Sequence, residues 1–149
     1  MAQEDKSPDP AWWSAWRGIV FAHSQVFHAV ERDLKQHSGI PLPFLDVLGR
    51  LYDAPGGRLR MQELQQRSLF THSGITRLAD RIEAAGLVRR EQVPGDRRGV
   101  SVVITPEGRQ VYAAAIARHR SDVERAFASR LTPAQHETVA EALWPFWHD

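Results

Sequence analysis

Two adjacent arginines, Arg97 and Arg98, stand in the turn of a predicted β-hairpin. The runs Leu87 to Val93 and Val100 to Ile104 are rich in strand-forming residues, and the prolines and glycines between them favour a tight turn. Neighbouring cations at a hairpin tip repel each other and stabilise no core, whereas nucleic-acid phosphates or a narrow minor groove attract them. We therefore predict that the hairpin contacts DNA; the alternative is a solvated turn.

The acidic residue of this turn, Asp96, has a different expected role. Its carboxylate would repel phosphate, so we expect Asp96 to orient a neighbouring arginine through an ion pair or to shape the turn. Arg89 and Arg90 follow each other on the first strand, where side chains alternate between the two faces. At most one of these two arginines is therefore expected to face a duplex.

The residues before the hairpin predict a helix from His72 to Ala85 with two distinct faces. Its apolar residues share one side and are expected to face the core: Ile75, Leu78, Ala79 and Ile82. Polar residues lie opposite, in the half of the helix that enters the major groove in a helix-turn-helix. There an arginine can pair with guanine, and hydroxyl groups can bond base edges or phosphates. The alternative is a solvated face. The candidate contacts are Thr71, which also suits the capping position, His72, Ser73, Thr76 and Arg77.

A shorter predicted helix, Met61 to Ser68, completes the helix-turn-helix, with Leu64 expected to face inward. Arg60 and Gln62 stand near its start and are further candidates for phosphate contacts.

These segments lie within a chain that is predicted to be mostly helical. The predicted order is two helices, a helix-turn-helix, a hairpin and two more helices. Helix-start signals stand at Pro10, Pro41, Thr105 and Thr132, and Arg58 to Arg60 favours a very short strand. The predicted fold is mostly α with a small β-hairpin wing: one domain over residues 1–149 whose winged helix-turn-helix core spans residues 42–106.

The terminal helical regions, residues 10–38 and 107–148, are predicted to be dimerisation helices. Their apolar residues have little to pack against in a monomer of this size; they include Trp12, Trp13, Trp16, Ile19, Val20 and Phe27 in the first helix, Phe127 in the fifth, and Trp144, Phe146 and Trp147 in the last. Burying a large apolar side chain contributes about 1.5–3 kcal/mol. We predict a homodimer; the alternative is a monomer that buries the same residues within itself.

Composition limits the class of protein. A net charge of +1 over 149 residues means that any nucleic-acid surface is local. The absence of cysteine excludes disulfides and thiol-based redox sensing. The sequence begins without the pattern of a secretion signal and has no long apolar run, so we expect a soluble cytoplasmic protein. We predict no cofactor.

Two other classes of function compete with DNA binding. The sequence has no glycine-rich phosphate loop, nucleophile elbow or metal-ligand spacing, and Glu31 and Asp33 are better explained as a wet helix face than as an acid/base pair, so we expect no enzyme. Winged helices also serve as protein-docking modules without specific DNA binding. The paired arginines argue against that alternative.

Four segments together resemble the MarR family of bacterial transcriptional regulators: Met61 to Leu64, Thr76 to Val88, Asp96 to Arg98, and Ile104 to Gly108. The resemblance extends over essentially the whole chain. It implies a homodimeric regulator, most often a repressor, that binds a palindromic operator in double-stranded DNA. Recognition helices would occupy successive major grooves, and wings would reach the adjacent minor grooves. By position, the resemblance makes Ser73, Thr76 and Arg77 helix contacts and Arg97 or Arg98 the wing contact.

The resemblance also raises the question of an effector. Many members of the family lose DNA affinity when a small, often aromatic, ligand enters the crevice between the dimerisation and DNA-binding parts. Candidate lining residues lie on the first helix, where an arginine beside aromatic rings suits an aromatic carboxylate: Trp16, Arg17, His23 and Phe27. The alternative is that these residues serve packing, with an exposed histidine. The histidines of this helix lack the spacing of a zinc-binding pair, so no metal is expected.

Overall fold

The computed structural model describes residues 9–67, 72–96 and 99–146, without the side chains of Arg67, His72 and Ser73. Across these residues the chain forms six α-helices and three β-strands: α1 (Ala11–Ser38), α2 (Leu42–Asp53), β1 (Arg58–Arg60), α3 (Met61–Arg67), α4 (His72–Ala84), β2 (Val88–Gln92), β3 (Val100–Ile104), α5 (Pro106–Ala126) and α6 (Pro133–Leu143). The predicted fold class, mostly helical with a small antiparallel sheet, is confirmed.

Strand β3 lies at the centre of a three-stranded antiparallel sheet with the order β1-β3-β2. The predicted hairpin is β2 and β3, in register from Val88 opposite Ile104 to Gln92 opposite Val100. On the other side of β3, Leu59 of β1 pairs with Val102. The very short strand expected from the sequence therefore closes the sheet beside α3.

The chain divides into two compact units, one of which is the continuous segment 31–122. This unit contains α2 to α4, the sheet and the main apolar core. The core is formed by residues such as Leu48, Leu51, Leu64, Ile75, Ile82 and Val102, all fully buried. The four apolar residues expected to share the inner face of α4 are all buried, which confirms the predicted helical period.

The end of α4 fixes how the hairpin begins. Gly86 has φ of +76°, a left-handed conformation that glycine adopts without strain. Its N–H donates to the carbonyl of Glu83 at 2.8 Å, and the next N–H donates to Ile82 at 3.2 Å, forming a Schellman motif. Thr105 Oγ1 then donates to the carbonyl of Gly86 at 2.8 Å and accepts from the N–H of Gly108 at 3.0 Å. These bonds tie α4, the sheet and the start of α5 together.

The second unit contains residues 9–30 and 123–146. Many of its large apolar side chains are exposed in the single chain, including Trp12 at 68%, Trp16 at 54%, Phe21 at 62% and Trp144 at 56%. The chain therefore does not bury these aromatic side chains within itself. In the described residues, no helix is both long enough and apolar enough to span a bilayer.

The ends of α5 and α6 differ from the sequence prediction. The sequence predicts that the last helix continues to Trp147, but α6 ends at Leu143 and a short 3₁₀ turn follows at Trp144–Phe146. Pro145 lacks an N–H and its ring clashes with the preceding helical turn, so the α-helix cannot continue. Helix α5 ends at Ala126, one residue before Phe127, whose φ is −120° and ψ is −61°. Trp147 lies outside the described residues.

The predicted start of α6 is confirmed as a capping box. Thr132 Oγ1 accepts from the Gln135 N–H at 3.3 Å, and Gln135 Oε1 accepts from the Thr132 N–H at 2.8 Å. Together these bonds satisfy two backbone donors at the start of the helix.

Candidate nucleic-acid interface

Helix α4 presents a polar face opposite its buried apolar face. Thr76, Arg77 and Asp80 are exposed, while Ile75 and Ile82 are fully buried. This is the division that the sequence predicted for the helix. Because the apolar face is fixed in the core, the side chains of Thr76 and Arg77 are held on the outer surface of this unit.

Several predicted contacts belong to side chains outside the described part of the chain. Thr71, Arg97 and Arg98 lie outside the described residues. His72 and Ser73 form the first turn of α4, but their side chains are not described. Their contacts with DNA remain predictions from the sequence.

Thr76 and Arg77 differ in their local contacts. Gln65 Nε2 of α3 lies 3.5 Å from Thr76 Oγ1, at the long limit for a hydrogen bond, and links the two helices of the helix-turn-helix. Arg77 has no ion-pair partner within the part of the chain that the structure describes. Its five N–H donors are therefore available to an acceptor outside this unit.

A polar cleft of about 430 Å³ lies between the start of α3 and the hairpin. Its lining includes Arg60 and Gln62, which were predicted to contact phosphate, together with Gln65 of α3 and Asp96 of the turn. The two residues predicted for phosphate contact thus lie together, on the same unit as α4.

Asp96 pairs with Arg60, which is distant in sequence; the predicted pairing with a neighbouring arginine concerns Arg97 and Arg98, which lie outside the described residues. Arg60 Nη1 lies 3.4 Å from Asp96 Oδ2, and both side chains are about half exposed. Such a pair contributes about 0–1 kcal/mol, so it can exchange for a phosphate contact at little cost. The pairing of β1 with β3 brings Arg60 to the hairpin, and a pattern of neighbouring residues does not reveal this.

Arg90 of β2 is bound to the side of α4 by a network of acceptors. Its Nη1 contacts Asp80 Oδ1 and lies 3.5 Å from Glu83 Oε2. Its Nη2 lies 3.4 Å from the backbone carbonyl oxygen of Thr76. The backbone N–H of Arg90 also donates to Glu83 Oε1 at 2.8 Å. Sequence reasoning missed this network.

Arg89 lies on the other face of β2. Its Nη2 is 2.7 Å from Glu91 Oε1, and Arg58 Nη1 approaches the second oxygen of the same carboxylate at 3.4 Å. The alternation expected for Arg89 and Arg90 therefore separates them into two different ion-pair groups. A sequence pattern could have identified the Arg90 group. Asp80 and Glu83 are three residues apart and therefore share one edge of α4, and Arg90 stands on the strand that follows this helix.

Two titratable side chains on α5 have shifted pKa values. Burial lowers the pKa of His119, and the nearby carboxylate of Asp122 opposes this shift. Burial also raises the pKa of Tyr112, and the carboxylate of Asp53 raises it further. Tyr112 packs against the ring of Tyr52, with 4.9 Å between ring centroids. Burial within the chain is the largest cause of both shifts.

The candidate effector residues lie along α1 without forming one cluster. His23 and Phe27 stack with 5.4 Å between ring centroids. Trp16 and Arg17 are exposed, and Arg17 Nη1 lies 3.6 Å from Asp9 Oδ2. The ring pair and the ion pair are thus separate groups in the single chain.

Comparisons with known proteins agree on one family. A model described as MarR family matches residues 38–99. An uncharacterized HTH-type transcriptional regulator, YkoM of Bacillus subtilis (strain 168), is 32% identical over 128 residues, covering 86% of this chain and 80% of that protein. The transcriptional regulator HosA of Escherichia coli O111:H- is 30% identical, covering 80% of this chain and 93% of that protein. The structure of Sco3205, a MarR family transcriptional regulator from Streptomyces coelicolor in complex with DNA, has a TM-score of 0.84 at 31% identity, covering 92% of this chain and 87% of that one.

Proposed function

We propose that this chain, which belongs to the MarR family of transcriptional regulators, binds a palindromic operator in double-stranded DNA as a homodimer and represses transcription there. The proposed activity is binding and involves no catalytic step. A repressor of this kind works on chromosomal DNA, so we place it in the cytoplasm.

The observation that carries this proposal is the outer face of α4. Thr76 and Arg77 are exposed on a helix whose opposite face is fixed in the core, and a hairpin follows directly. In a helix-turn-helix the first half of the second helix reads base edges in the major groove. Sco3205, at 31% identity, was solved in complex with DNA. We therefore assign base contacts to Thr76 and Arg77. We assign further DNA contacts to His72 and Ser73, which begin α4, and to Thr71, which precedes it in the sequence.

Phosphate contacts are assigned to the residues around the hairpin. Arg60 and Gln62 line the cleft beside it, and Arg97 and Arg98 belong to its turn by sequence. The arginines in these positions would approach the phosphate backbone or the minor groove of the DNA on either side of α4.

The homodimer is supported by the exposed aromatic residues of the terminal regions, residues 10–38 and 107–148. A single chain leaves Trp12, Trp16 and Trp144 each more than half exposed. Trp12, Trp16, Ile19 and Val20 share one side of α1 by the helical period, and an exposed apolar stripe of this kind marks an interaction surface. A second copy supplies the same surface, because a twofold interface joins identical patches.

An effector of the aromatic carboxylate class is the remaining part of the proposal. Trp16, Arg17, His23 and Phe27 supply rings and one cation on α1, the groups that such a ligand requires. Titrating operator-bound protein with a panel of aromatic carboxylates is expected to release the DNA, and Arg17→Ala is expected to prevent that release. Retention of DNA throughout the panel would remove this part of the proposal.

The function itself is tested by fluorescence polarisation with a duplex from the promoter of the regulator and a scrambled duplex of equal length. We expect binding to the promoter duplex about 10³-fold or more tighter than to the scrambled one. The logarithm of affinity should fall linearly with the logarithm of salt concentration, since each phosphate contact releases counterions. Binding without preference or without salt dependence would instead favour a protein-docking module.

A further inference from the structure

We infer that Arg90 is a positioning residue for DNA recognition, and that Asp80 is the carboxylate through which it holds α4 in its reading orientation. The inference rests on the proposed function and adds a determinant of specificity that touches no base. Arg90 engages three acceptors on α4.

The three acceptors lie on one edge of the helix. The carbonyl of Thr76, the carboxylate of Asp80 and the carboxylate of Glu83 are separated by four and three residues, so they follow one another along the helix axis. Arg90 therefore spans about two turns of α4 from a strand that is itself paired along its length with β3. A planar guanidinium fixes the direction of such bonds better than a lysine would.

One of these bonds reaches the backbone at the reading position. The carbonyl of Thr76 accepts from Arg90 Nη2 at 3.4 Å, and Arg77 is the next residue. Apolar packing of Ile75 and Ile82 fixes which face of the helix points inward, and side contacts restrict the smaller rotations about the helix axis that this packing still allows. A small rotation would carry Arg77 away from the base edge that it must approach within hydrogen-bond distance.

The charge of Asp80 makes the inference testable. Its side chain is 55% exposed on the surface proposed to approach DNA, where a carboxylate repels phosphate. If charge alone mattered, removing this carboxylate would tighten binding to every duplex. If Asp80 holds the helix through Arg90, removing it would weaken recognition of the operator in particular.

The experiment compares Asp80→Asn with the unaltered chain on operator and scrambled duplexes. The asparagine keeps the size of the side chain and removes its charge at an exposed site, and a melting curve checks that the variant is folded. We expect the ratio of operator affinity to scrambled affinity to fall about 10-fold, within the discrimination that one base-specific pair provides. Affinity for the scrambled duplex should stay equal or rise.

Asp46→Asn is the matched control. Asp46 also pairs with an arginine, Arg50, at 3.0 Å, and it lies on α2. The substitution removes the same charge and breaks the same type of pair, and we expect an unchanged affinity ratio. An equal rise on both duplexes in Asp80→Asn, with the ratio kept, would overturn the inference and leave the proposed function intact. Loss of preference in the unaltered chain would refute the function and this inference together.

Arg90→Gln provides a second measurement. A positioning residue makes no phosphate contact, so the affinity ratio should fall while the salt dependence on the scrambled duplex stays the same. If Arg90 instead binds phosphate, the slope of log affinity against log salt would decrease by about 0.9 for each phosphate that the variant no longer neutralises. That smaller slope would contradict the positioning role.

Discussion

Arg77 is the side chain on which base recognition depends in the proposed complex. It is exposed on α4, next to Thr76, and has no ion-pair partner in the described chain. Arg77→Ala is expected to reduce the preference for operator over scrambled DNA by about 1–3 kcal/mol, the value of a bidentate contact with guanine. Competition binding measures this reduction. Arg32→Ala removes the same charge from an exposed site on α1 and is the control. Equal weakening on both duplexes for Arg77→Ala would contradict base reading.

His119 makes stability depend on pH. Burial lowers its pKa, so the folded chain keeps the imidazole neutral at a pH where the unfolded chain, with a pKa of about 6.5, takes up a proton. The free energy of unfolding should therefore decrease as pH falls below about 6.5, until the lowered folded pKa is passed. Urea denaturation at several pH values measures this decrease.

The variant His119→Gln is expected to reduce that dependence on pH, because the buried titrating group is gone. His28→Gln makes the same change at an exposed histidine and is the control. If His119→Gln and the unaltered chain lost stability equally as pH falls, burial of His119 would not be the cause.

At the scale of single residues, the sequence predicts exposure better than it predicts partners. The outward placement of Thr76 and Arg77 follows from the helical period, because the four apolar residues of α4 fix its inner face. The partners of Arg60 and Arg90 do not follow from any local pattern. Arg60 meets Asp96 across the sheet, and Arg90 meets Asp80 across the junction of strand and helix.

The start of α6 carries a test at the scale of an element. Thr132→Ala removes the hydroxyl that accepts from the Gln135 N–H, and we expect it to destabilise the protein by about 0.5–2 kcal/mol. Thr138→Ala, within the same helix, removes a hydroxyl that bonds a carbonyl four residues back, and it should cost far less. Thermal melts at one fixed protein concentration compare the two. Equal melting temperatures would contradict a contribution from the cap.

The sequence predicted helices and strands correctly where a residue that starts or ends an element agrees with the spacing of the apolar residues within it. Proline and capping residues mark the starts of α2, α5 and α6, and Gly86 marks the end of α4. The predicted end of α6 was wrong because apolar spacing continues through Trp144 and Phe146, whereas Pro145 stops the backbone. The pairing of β1 with β3 joins residues about 40 positions apart, which local propensity cannot indicate.

At the scale of the whole molecule, the exposed aromatic residues of the terminal regions predict dimerisation. Ile19 lies on the side of α1 that carries Trp12 and Trp16, and it is 43% exposed in the single chain. Ile19→Glu would bury a charge at the proposed twofold interface and is expected to shift the protein towards monomer. Sedimentation equilibrium measures the shift.

Gln25→Glu adds the same charge on the opposite side of α1, where the side chain is exposed, and is the control. It should leave the mass distribution unchanged. If neither Ile19→Glu nor Gln25→Glu shifted the protein towards monomer, the dimer interface would not include the Ile19 side of α1.

The central claim is that two copies present their α4 helices to successive major grooves on one side of a duplex. Hydroxyl-radical footprinting on the promoter duplex tests it most directly. We predict two protected patches related by a twofold axis, on one face of the DNA, with centres about 10–10.5 base pairs apart or a multiple of that distance. A single protected patch, or protection spread evenly around the helix, would contradict the account.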